Sequence, residues 1–317
     1  MPEGSDQQPG FLALGLDAGG TETRWALAQV SGEILAEGRV AGFSAIDLQG
    51  AGQTRIAGLL EDLAQTVLAI GQPLRVHAGL TGFGGAGQAI ANLLGQALGL
   101  PEAAITLGND FQTAYLDLFA PSEGYMVYAG TGSIAAFIDA AGVLQRAGGR
   151  GNLLDDGGGG FWIAREALRQ VWRTEDERPG AWRESPLAQE LLAQVGGPDW
   201  SHTRQFVYGG SRGDVGRLAL AVAATADSDP AARSILRAAG TELARLALAL
   251  INRYGPRPVA LTGRAAHLHP LIATTMREAL PAATPFALRT CHGHHAAARL
   301  ALRAASVAHH PFLQEPE

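Results

Sequence analysis

The chain contains no lysine, although it carries 24 basic residues, which are therefore all arginine. A Walker-type phosphate loop, the ATP-binding strand of a protein kinase and a pyridoxal Schiff base each require a lysine side chain. These three kinds of site are excluded. If the protein handles nucleotides, glycine-rich backbone and a metal ion must bind the phosphates instead.

Cysteine and long apolar runs are also scarce. The single cysteine, Cys291, excludes an internal disulfide, a cysteine-ligated iron–sulfur cluster and a cysteine-rich zinc site. No apolar run approaches the roughly 20 residues needed to span a bilayer, and the polar first ten residues lack the features of a signal peptide. A net charge of −6 without a basic block argues against nucleic-acid or anionic-membrane partners. We expect a cytoplasmic protein with neither kind of partner.

The first part of the chain has the pattern of an α/β layer. At 317 residues and 47% hydrophobic composition, two domains are expected. Apolar runs predict strands over residues 11–17, 24–30, 34–40 and 74–80, and a strand that leads into a helix near Asp110. Longer periodic segments predict a helix over 51–70 and a second helix that ends at residue 98. Strands followed by alternating strands and helices are typical of an α/β fold.

The same pattern returns after the turn-forming segment "FAPSEG" at 119–124. A strand, a Gly-Thr-Gly turn, a second strand, an Ala-Gly turn and a third strand repeat the opening of the chain, which predicts two related halves. We therefore predict a disordered tail over 1–10, an N-terminal domain over 11–119 and a C-terminal domain over 120–293. Helices are predicted over 161–173, 186–195, 212–225 and 230–254, with a helical insertion over about 174–210. A last helix over about 294–317 is expected to pack back on the first domain.

Acidic residues next to glycine turns are the candidates for chemistry. Asp17 precedes a glycine pair and is placed either to hold a cation or to hydrogen-bond the turn. Asp110 opens a helix, where Asn109 or Asp110 would serve as an N-cap. Asp155 and Asp156 precede four glycines, and such a carboxylate pair suits either sugar hydroxyls or the cap of the following helix.

These motifs carry a family resemblance. Asp17-x-Gly19-Gly20-Thr21, the repeated Gly130-Thr131-Gly132 and "LTG" before a helix resemble the actin/hexokinase/Hsp70 ATPase superfamily. Within it, "GNDF", "YAGTGS" and "LLDDGGGGFWI", in that order, resemble the N-acetylglucosamine kinase and BadF-type branch. The resemblance implies a two-domain α/β fold of the actin-like, ribonuclease H-like type, with ATP in the interdomain cleft.

The resemblance also implies roles for individual residues. The turns at Gly19, Gly20 and Thr21 and at Gly130, Thr131 and Gly132 would hold the β- and γ-phosphates, and Gly263 and Arg264 would lie at the nucleoside. Asp17 would orient Mg²⁺. Asp110 would be the general base toward a sugar hydroxyl, and Asn109, Asp110, Asp155 and Asp156 would contact the sugar. The expected reaction is ATP-dependent phosphorylation of N-acetylglucosamine or glucosamine at a primary hydroxyl, in a homodimer.

Three positions depart from the sugar-kinase pattern. Ile134 stands where relatives often have asparagine at a sugar-contacting position, and Gly157 and Gly159 replace a glutamate and a serine, so polar sugar contacts of the pattern are missing. Two other functions stay open: a BadF-type ATPase or activator component, and a non-catalytic sensor of sugar or nucleotide. The segment "CHGHH" at 291–295 resembles a metal cluster, but no carboxylate adjoins it in sequence, and we expect it to serve packing or the surface.

Overall fold

The computed structural model describes residues 10–19, 22–43, 51–81, 83 and 87–306. The chain divides into two compact units, one formed by residues up to 118 together with those from 291 onward, and the other by residues 119–290. Most of the predicted tail and residues 307–317 of the predicted last helix lie outside the described residues. Among the described helices, none has the length and apolar character required to cross a membrane.

Each unit contains one five-stranded mixed sheet. The strands are β1 (Leu12–Ala18), β2 (Glu22–Gln29), β3 (Ile34–Ala41), β4 (Pro73–Leu80) and β5 (Ile105–Asn109) in the first unit, and β6 (Tyr125–Ala129), β7 (Ser133–Ile138), β8 (Leu144–Gly148), β9 (Val259–Thr262) and β10 (Phe286–Leu288) in the second. Their orders are β3-β2-β1-β4-β5 and β8-β7-β6-β9-β10. In both sheets the first three strands pair antiparallel and the last two are parallel to the first. This shared topology confirms the prediction of two related halves.

Helices flank both sheets. The first unit has α1 (Ala51–Leu68), α2 (Gln88–Leu98) and α3 (Asp110–Leu118), and the second has α4 (Gly160–Glu177), α5 (Pro186–Gln194), α6 (Trp200–Gly209), α7 (Arg212–Arg217), α8 (Ala219–Thr225), α9 (Pro230–Tyr254) and α10 (Pro270–Ala279). The last helix, α11 (Gly293–Ser306), belongs to the first unit. The helix predicted over 212–225 is divided at Leu218. The sequence indicated a helix after "LTG" without giving its bounds, and it did not indicate the three-residue strand β10.

The two faces of the first sheet differ in side-chain size. Leu14 and Leu16 of β1 pack into a leucine-rich core that includes residues of α1 and α2. The opposite face presents Gly15, and a β-carbon there would lie 2.0 Å from the backbone nitrogen of Ala298 in α11. Because side chains alternate across a strand, this face is flat enough for α11 to lie directly on it. Asp17 shares that face with Gly15.

The second unit buries one large core beneath its sheet. Strand residues of β6, β7 and β9 pack with buried alanine, leucine and valine side chains of α4, α5, α8 and α9. Helix α9 is bounded by clear local signals, since the Asp229 carboxylate accepts hydrogen bonds from two backbone amides, Pro230 occupies its first turn and Gly255 follows its end. These signals are the reason that its bounds could be predicted from the sequence.

Candidate functional site

Three polar residues of the first unit lie at one edge of its sheet. Strands β1, β4 and β5 run parallel, with Asp17 aligned to Gly79 and Leu80 aligned to Asn109. Asp17 therefore stands near the carboxyl end of β1, Thr81 directly follows β4, and Asp110 directly follows β5. The carboxyl edge of parallel strands is where open α/β sheets bind ligands.

Asp17 occupies an enclosed position beside a second acid. Burial, and then the nearby charge of Asp110, raise the pKa of Asp17 to about 6, while Arg24 opposes this shift. One wall of the position is Gly293, the first residue of α11, where a β-carbon would lie 2.5 Å from Oδ2 of Asp17. Two carboxylates that repel each other in a partly desolvated position form a suitable oxygen site for a divalent cation.

The carboxylate of Asp110 is held by local hydrogen bonds. Its Oδ2 accepts a hydrogen bond from the Thr81 hydroxyl at 2.6 Å, and its Oδ1 accepts one from the Phe111 amide at 2.7 Å. Asn109 accepts a hydrogen bond from the same amide through Oδ1 at 2.9 Å, so both residues cap the start of α3. Thr81 was not among the residues singled out from the sequence, because its link to Asp110 depends on two adjacent parallel strands.

The first glycine turn is described only in part. Gly19 follows β1, and its amide donates a hydrogen bond to the Glu22 carbonyl at 3.1 Å, which joins β1 to β2. Gly20 and Thr21, the other two predicted phosphate-binding residues of this turn, lie outside the described residues.

The second glycine turn joins β6 to β7 and is braced by α4. The Gly130 amide donates to the Gly132 carbonyl at 2.9 Å within the turn, while the amides of Gly160 and Phe161 donate to the carbonyls of Gly130 and Thr131 at 2.8 and 2.9 Å. The first turn of α4 thereby uses amides that would otherwise lack a partner inside the helix. The carbonyls of the turn face α4.

Asp156 lies against this turn. A β-carbon on Gly132 would stand 2.4 Å from Oδ2 of Asp156, and the residue is only 4% exposed. Its carboxylate accepts a hydrogen bond from Nη2 of Arg212 at 3.1 Å, and its backbone has φ of 59°. A non-glycine residue in this left-handed region is uncommon, and such residues cluster at functional sites.

Asp155 is also paired with an arginine. Its Oδ1 accepts a hydrogen bond from Nη2 of Arg245 at 3.0 Å, and Arg245 also bonds Glu242. Neither Arg212 nor Arg245 was singled out from the sequence, because both lie in helices remote from the Asp-Asp pair along the chain.

Close packing explains why glycines follow Asp156. A β-carbon on Gly159 would lie 2.6 Å from the backbone of Gly132, and one on Gly158, where φ is 83°, would lie 2.7 Å from the Ala239 carbonyl of α9. A β-carbon on Gly157 would meet the Glu242 side chain at 2.8 Å. The segment therefore passes between the turn and α9 only because it has no side chains. The departing residue Ile134 packs its side chain over Gly149.

Gly263 brings the third motif next to the second. Strands β6 and β9 are parallel neighbours, with Tyr128 aligned to Thr262. Gly263 follows with φ of 97°, and a β-carbon there would lie 2.4 Å from the Ala129 carbonyl. Arg264, the other predicted nucleoside residue, is exposed and precedes the short helix Ala265–His267. The second unit thus assembles its two glycine motifs and Asp156 in one place.

The fold brings a carboxylate to the histidines of 291–295, although none adjoins them in sequence. Glu37 of β3 accepts a hydrogen bond from His294 at 3.3 Å and contacts His295 as well. Cys291 is partly buried, with its sulfur 3.5 Å from an Asp117 oxygen, and burial together with that carboxylate raises the pKa of its thiol to about 12. The spacing in sequence did not reveal Glu37 because Glu37 lies 257 positions before His294 in the chain.

Comparisons with known proteins agree with this architecture. A candidate N-acetylglucosamine kinase from Chromobacterium violaceum is 27% identical to the chain, with a TM-score of 0.69 over 93% of this chain and 99% of that one. A second candidate N-acetylglucosamine kinase, from Porphyromonas gingivalis, is 17% identical, with a TM-score of 0.69 over 92% of this chain and 99% of that one. No curated protein sequence matches the chain significantly.

A third structure is a ROK family glucokinase from Streptomyces griseus in complex with glucose and AMPPNP. It is 16% identical, with a TM-score of 0.55 over 92% of this chain and 99% of that one. At this identity the likeness concerns the fold alone. With the two repeated mixed sheets, these matches confirm the two-domain actin-like ATPase fold that the motifs implied.

The sequence as a whole assigns the family. The match to an established family runs over residues 14–282, which includes the end-of-strand acids, both glycine turns and the Gly263 motif. It covers most of the 317 residues. The chain belongs to the BadF/BadG/BcrA/BcrD ATPase family.

Proposed function

We propose that this protein is an ATP-dependent kinase that phosphorylates an amino sugar, N-acetylglucosamine or glucosamine, at a primary hydroxyl. The observation that carries the proposal is the placement of Asp110. Its carboxylate stands at the carboxyl edge of the parallel strands and is held by the Thr81 hydroxyl at 2.6 Å. Asp17, at the same edge, is close enough for its pKa to be raised by Asp110.

The proposal assigns both glycine turns to the phosphates of ATP. Backbone amides in such turns form concavities that bind anions. Gly130, Thr131 and Gly132 supply one turn, and Gly19, Gly20 and Thr21 supply the other. Gly263 and Arg264 are assigned to the nucleoside, supported by the close approach of Gly263 to the strand that precedes the Gly130 turn.

Asp17 fits the Mg²⁺ that the resemblance implies. The Asp17 carboxylate offers the oxygen ligands that hard cations such as Mg²⁺ prefer. It is partly buried, and the neighbouring Asp110 carboxylate adds negative charge. When bound, Mg²⁺ would offset the charge of the phosphate oxygens. Asp17 contributes the carboxylate that orients the ion, and Gly293 keeps that carboxylate in place by filling the space beside it.

Asp110 acts in the proposed reaction as the general base. It accepts the proton of the sugar's primary hydroxyl while the hydroxyl oxygen forms a bond to the γ-phosphorus and the bond to the ADP oxygen breaks. Phosphoryl transfer depends mostly on positioning and charge, with one carboxylate near the nucleophile. The hydrogen bonds from Thr81 and Phe111 leave the Asp110 carboxylate oriented before the substrate arrives.

The sugar assignment rests on the polar residues that are not assigned to ATP or Mg²⁺. Asn109, Asp155 and Asp156 offer hydrogen-bond acceptors for hydroxyl groups, and Asp156 is held by Arg212 in a strained backbone conformation. The amino-sugar class itself is supported by the similarity to the candidate N-acetylglucosamine kinase from Chromobacterium violaceum. Following the resemblance, we also propose that the protein is a homodimer, which light scattering would test.

A substrate panel tests the proposal. N-acetylglucosamine, glucosamine, N-acetylmannosamine and glucose would each be supplied with Mg-ATP, and ADP release would be measured with phosphosugar product identified by mass spectrometry. We expect turnover to be fastest with N-acetylglucosamine or glucosamine and to fall in the Asp110→Asn variant. ATP hydrolysis without any phosphosugar would overturn the kinase assignment.

The family match favours one alternative, an ATPase that energises a partner protein. In the activator form of that function, cysteines of two subunits hold an iron–sulfur cluster. This chain has one cysteine, whose thiol contacts Ala114 and Asp117 and has its pKa raised to about 12. A thiol that resists ionisation is a poor cluster ligand, so the kinase is the better-supported function.

A further inference from the structure

Two histidines at the start of α11 converge on one carboxylate of β3. Nε2 of His294 lies 3.3 Å from Oε2 of Glu37, and Nε2 of His295 contacts the same oxygen. One nitrogen of each histidine and a carboxylate oxygen all lie within 4.8 Å of one another. The ring of His292 is 4.9 Å from that of His295, centroid to centroid, so a third imidazole borders the cluster.

The strand pattern explains why Glu37 faces the helix. Glu37 pairs across strands with Ala26, and neighbouring cross-strand residues share one face of a sheet. Ala26 packs against Ala298 of α11, so that face is the one that α11 covers. Glu37 is thereby directed to the first turn of the helix, where His294 and His295 lie.

The chemistry of these atoms suits a transition-metal ion. Imidazole nitrogen and carboxylate oxygen are ordinary zinc ligands at about 2.0–2.2 Å, which places two tetrahedral ligands roughly 3.3 Å apart. The 3.3 Å separation of His294 Nε2 and Glu37 Oε2 already matches this distance, and His295 contacts the same oxygen. The His294 side chain is 6% exposed, that of His295 21% and that of Glu37 56%, so the cluster has a buried inner side and an open outer side.

We propose that Glu37, His294 and His295 form a binding site for a divalent transition-metal ion of the zinc type, with His292 or water as a further ligand. The site is separate from the oxygen ligands assigned to Mg²⁺ and does not depend on the proposed kinase activity. It takes its ligands from β3, at the edge of the first sheet, and from α11.

A bound ion would fasten the last described helix to the sheet. Glu37 and His294 are 257 positions apart in the chain, so a link between them constrains almost the whole unfolded chain. Because the ion needs ligands that only the folded chain brings together, binding raises the stability of the folded state. Zn²⁺ should therefore raise the melting temperature.

Zinc titration of the full-length protein without an affinity tag tests the proposal. After removal of metals with a chelator, Zn²⁺ would be titrated by calorimetry at pH 7.5 in the presence of Mg²⁺, which favours oxygen ligands. We expect one ion per chain in the micromolar range or tighter, with a raised melting temperature. Glu37→Gln and His295→Ala should each weaken binding at least about tenfold, since even indirect partners of a metal contribute that much.

Matched variants distinguish this site from general binding by surface groups. Glu33→Gln alters an exposed acid on the same hairpin, and His267→Ala alters an exposed histidine of the second unit. Both should bind Zn²⁺ like the parent protein. Glu37→Gln changes an exposed side chain and should retain the fold, which circular dichroism would verify. The proposal is overturned if the parent binds no stoichiometric Zn²⁺, or if Glu37→Gln binds it as tightly as the parent.

Discussion

The backbone of Gly293 lies directly against the carboxylate of Asp17, such that a β-carbon on Gly293 would stand 2.5 Å from Oδ2 and 2.6 Å from Cγ. The first residue of the last described helix is thus a wall of the acid that ends the first strand. Since α11 also packs directly on Gly15, movement of the helix away from a larger side chain would cost those contacts. The geometry of the Asp17 carboxylate therefore depends on a residue near the other end of the chain.

Gly293→Ala should displace the Asp17 side chain. We expect a loss of about 1–3 kcal/mol in the free energy of unfolding, as for other overpacked sites, together with a raised KM for Mg-ATP. Gly58→Ala is the control, because a β-carbon on Gly58 in α1 meets nothing within 4 Å. That variant should keep its kinetics and gain up to about 1 kcal/mol of stability. Chemical denaturation and steady-state kinetics give both quantities, and equal behaviour of the two variants would contradict the contact.

Asp17→Asn should stabilise the metal-free protein and weaken its use of Mg²⁺. The pKa of Asp17 is about 6 in the folded state against 3.8 ordinarily, so the folded state binds this proton more tightly than the unfolded state. The stability contributed by the group is present at low pH and is lost as pH rises from about 4 to about 6. Removing the charge should therefore stabilise the metal-free protein at pH 7.5 by on the order of 1–2 kcal/mol, and much less at pH 4.

The same variant tests the proposed Mg²⁺ role. Nucleotide binding would be measured with and without Mg²⁺, and Asp17→Asn should lose most of the gain that the ion provides. An unchanged dependence on Mg²⁺ would remove Asp17 from the metal site. Urea unfolding at the two pH values serves as the independent readout of burial.

Asp110→Asn should abolish most turnover while leaving binding intact. Asparagine keeps the shape of the side chain and can still cap α3, so stability should change little. It cannot accept the hydroxyl proton, and general-base catalysis contributes about 10²–10⁴-fold. We expect kcat to fall at least about a hundredfold with ATP and sugar binding near normal. If kcat stayed within a few-fold of the parent value, the base would lie elsewhere, and Asp155 would be examined next.

Thr81 should act as a positioning residue for Asp110. Thr81→Ala removes the hydroxyl that donates to Oδ2 of Asp110 at 2.6 Å, and hydrogen bonds to charged groups contribute about 1.5–3 kcal/mol. We expect kcat to fall about tenfold with little change in either KM, because the base loses its orientation and the substrates do not lose a contact. Thr81→Ser restores the hydroxyl and should recover most of kcat. Failure of serine to rescue would show that the methyl group, and not the hydrogen bond, matters.

Asp156→Asn should raise the KM of the sugar by about tenfold to a hundredfold and leave that of ATP unchanged, since a charge-assisted hydrogen bond to a hydroxyl is lost. The structure provides an alternative, because the Asp156 carboxylate also lies against Gly132 of the turn that we assign to the phosphates. Initial rates with each substrate varied in turn would distinguish the two. An increase confined to the KM of ATP would assign Asp156 to the phosphate side.

Local patterns in the sequence predicted most of the elements near the site. The three-strand openings of both units, the helix Pro230–Tyr254 and the start of α3 at Asp110 are encoded by alternation, by Pro and Gly at helix ends and by capping residues. The short strand β10 was not predicted, because a three-residue strand is too short to show a period. The Gly130 and Gly263 motifs could also be located from the sequence, because each consists of consecutive residues next to a predicted strand.

The sequence by itself determined the family, the repeated halves and the residue types at the ends of the strands. It could do so because glycine turns and the acids beside them are recognised from a few consecutive residues. Only the tertiary structure decided which groups touch: Thr81 with Asp110, Arg212 with Asp156, Gly293 with Asp17, and Glu37 with His294 and His295. Each of these pairs joins segments that are separated in the chain. Sheet register brings Thr81 to Asp110, and the close packing of α11 on Gly15 brings Gly293 to Asp17 and the histidines to Glu37. Arg212 reaches Asp156 from a helix that follows it in the second unit. Such contacts have no local period, so the folded chain alone could place a carboxylate among the histidines.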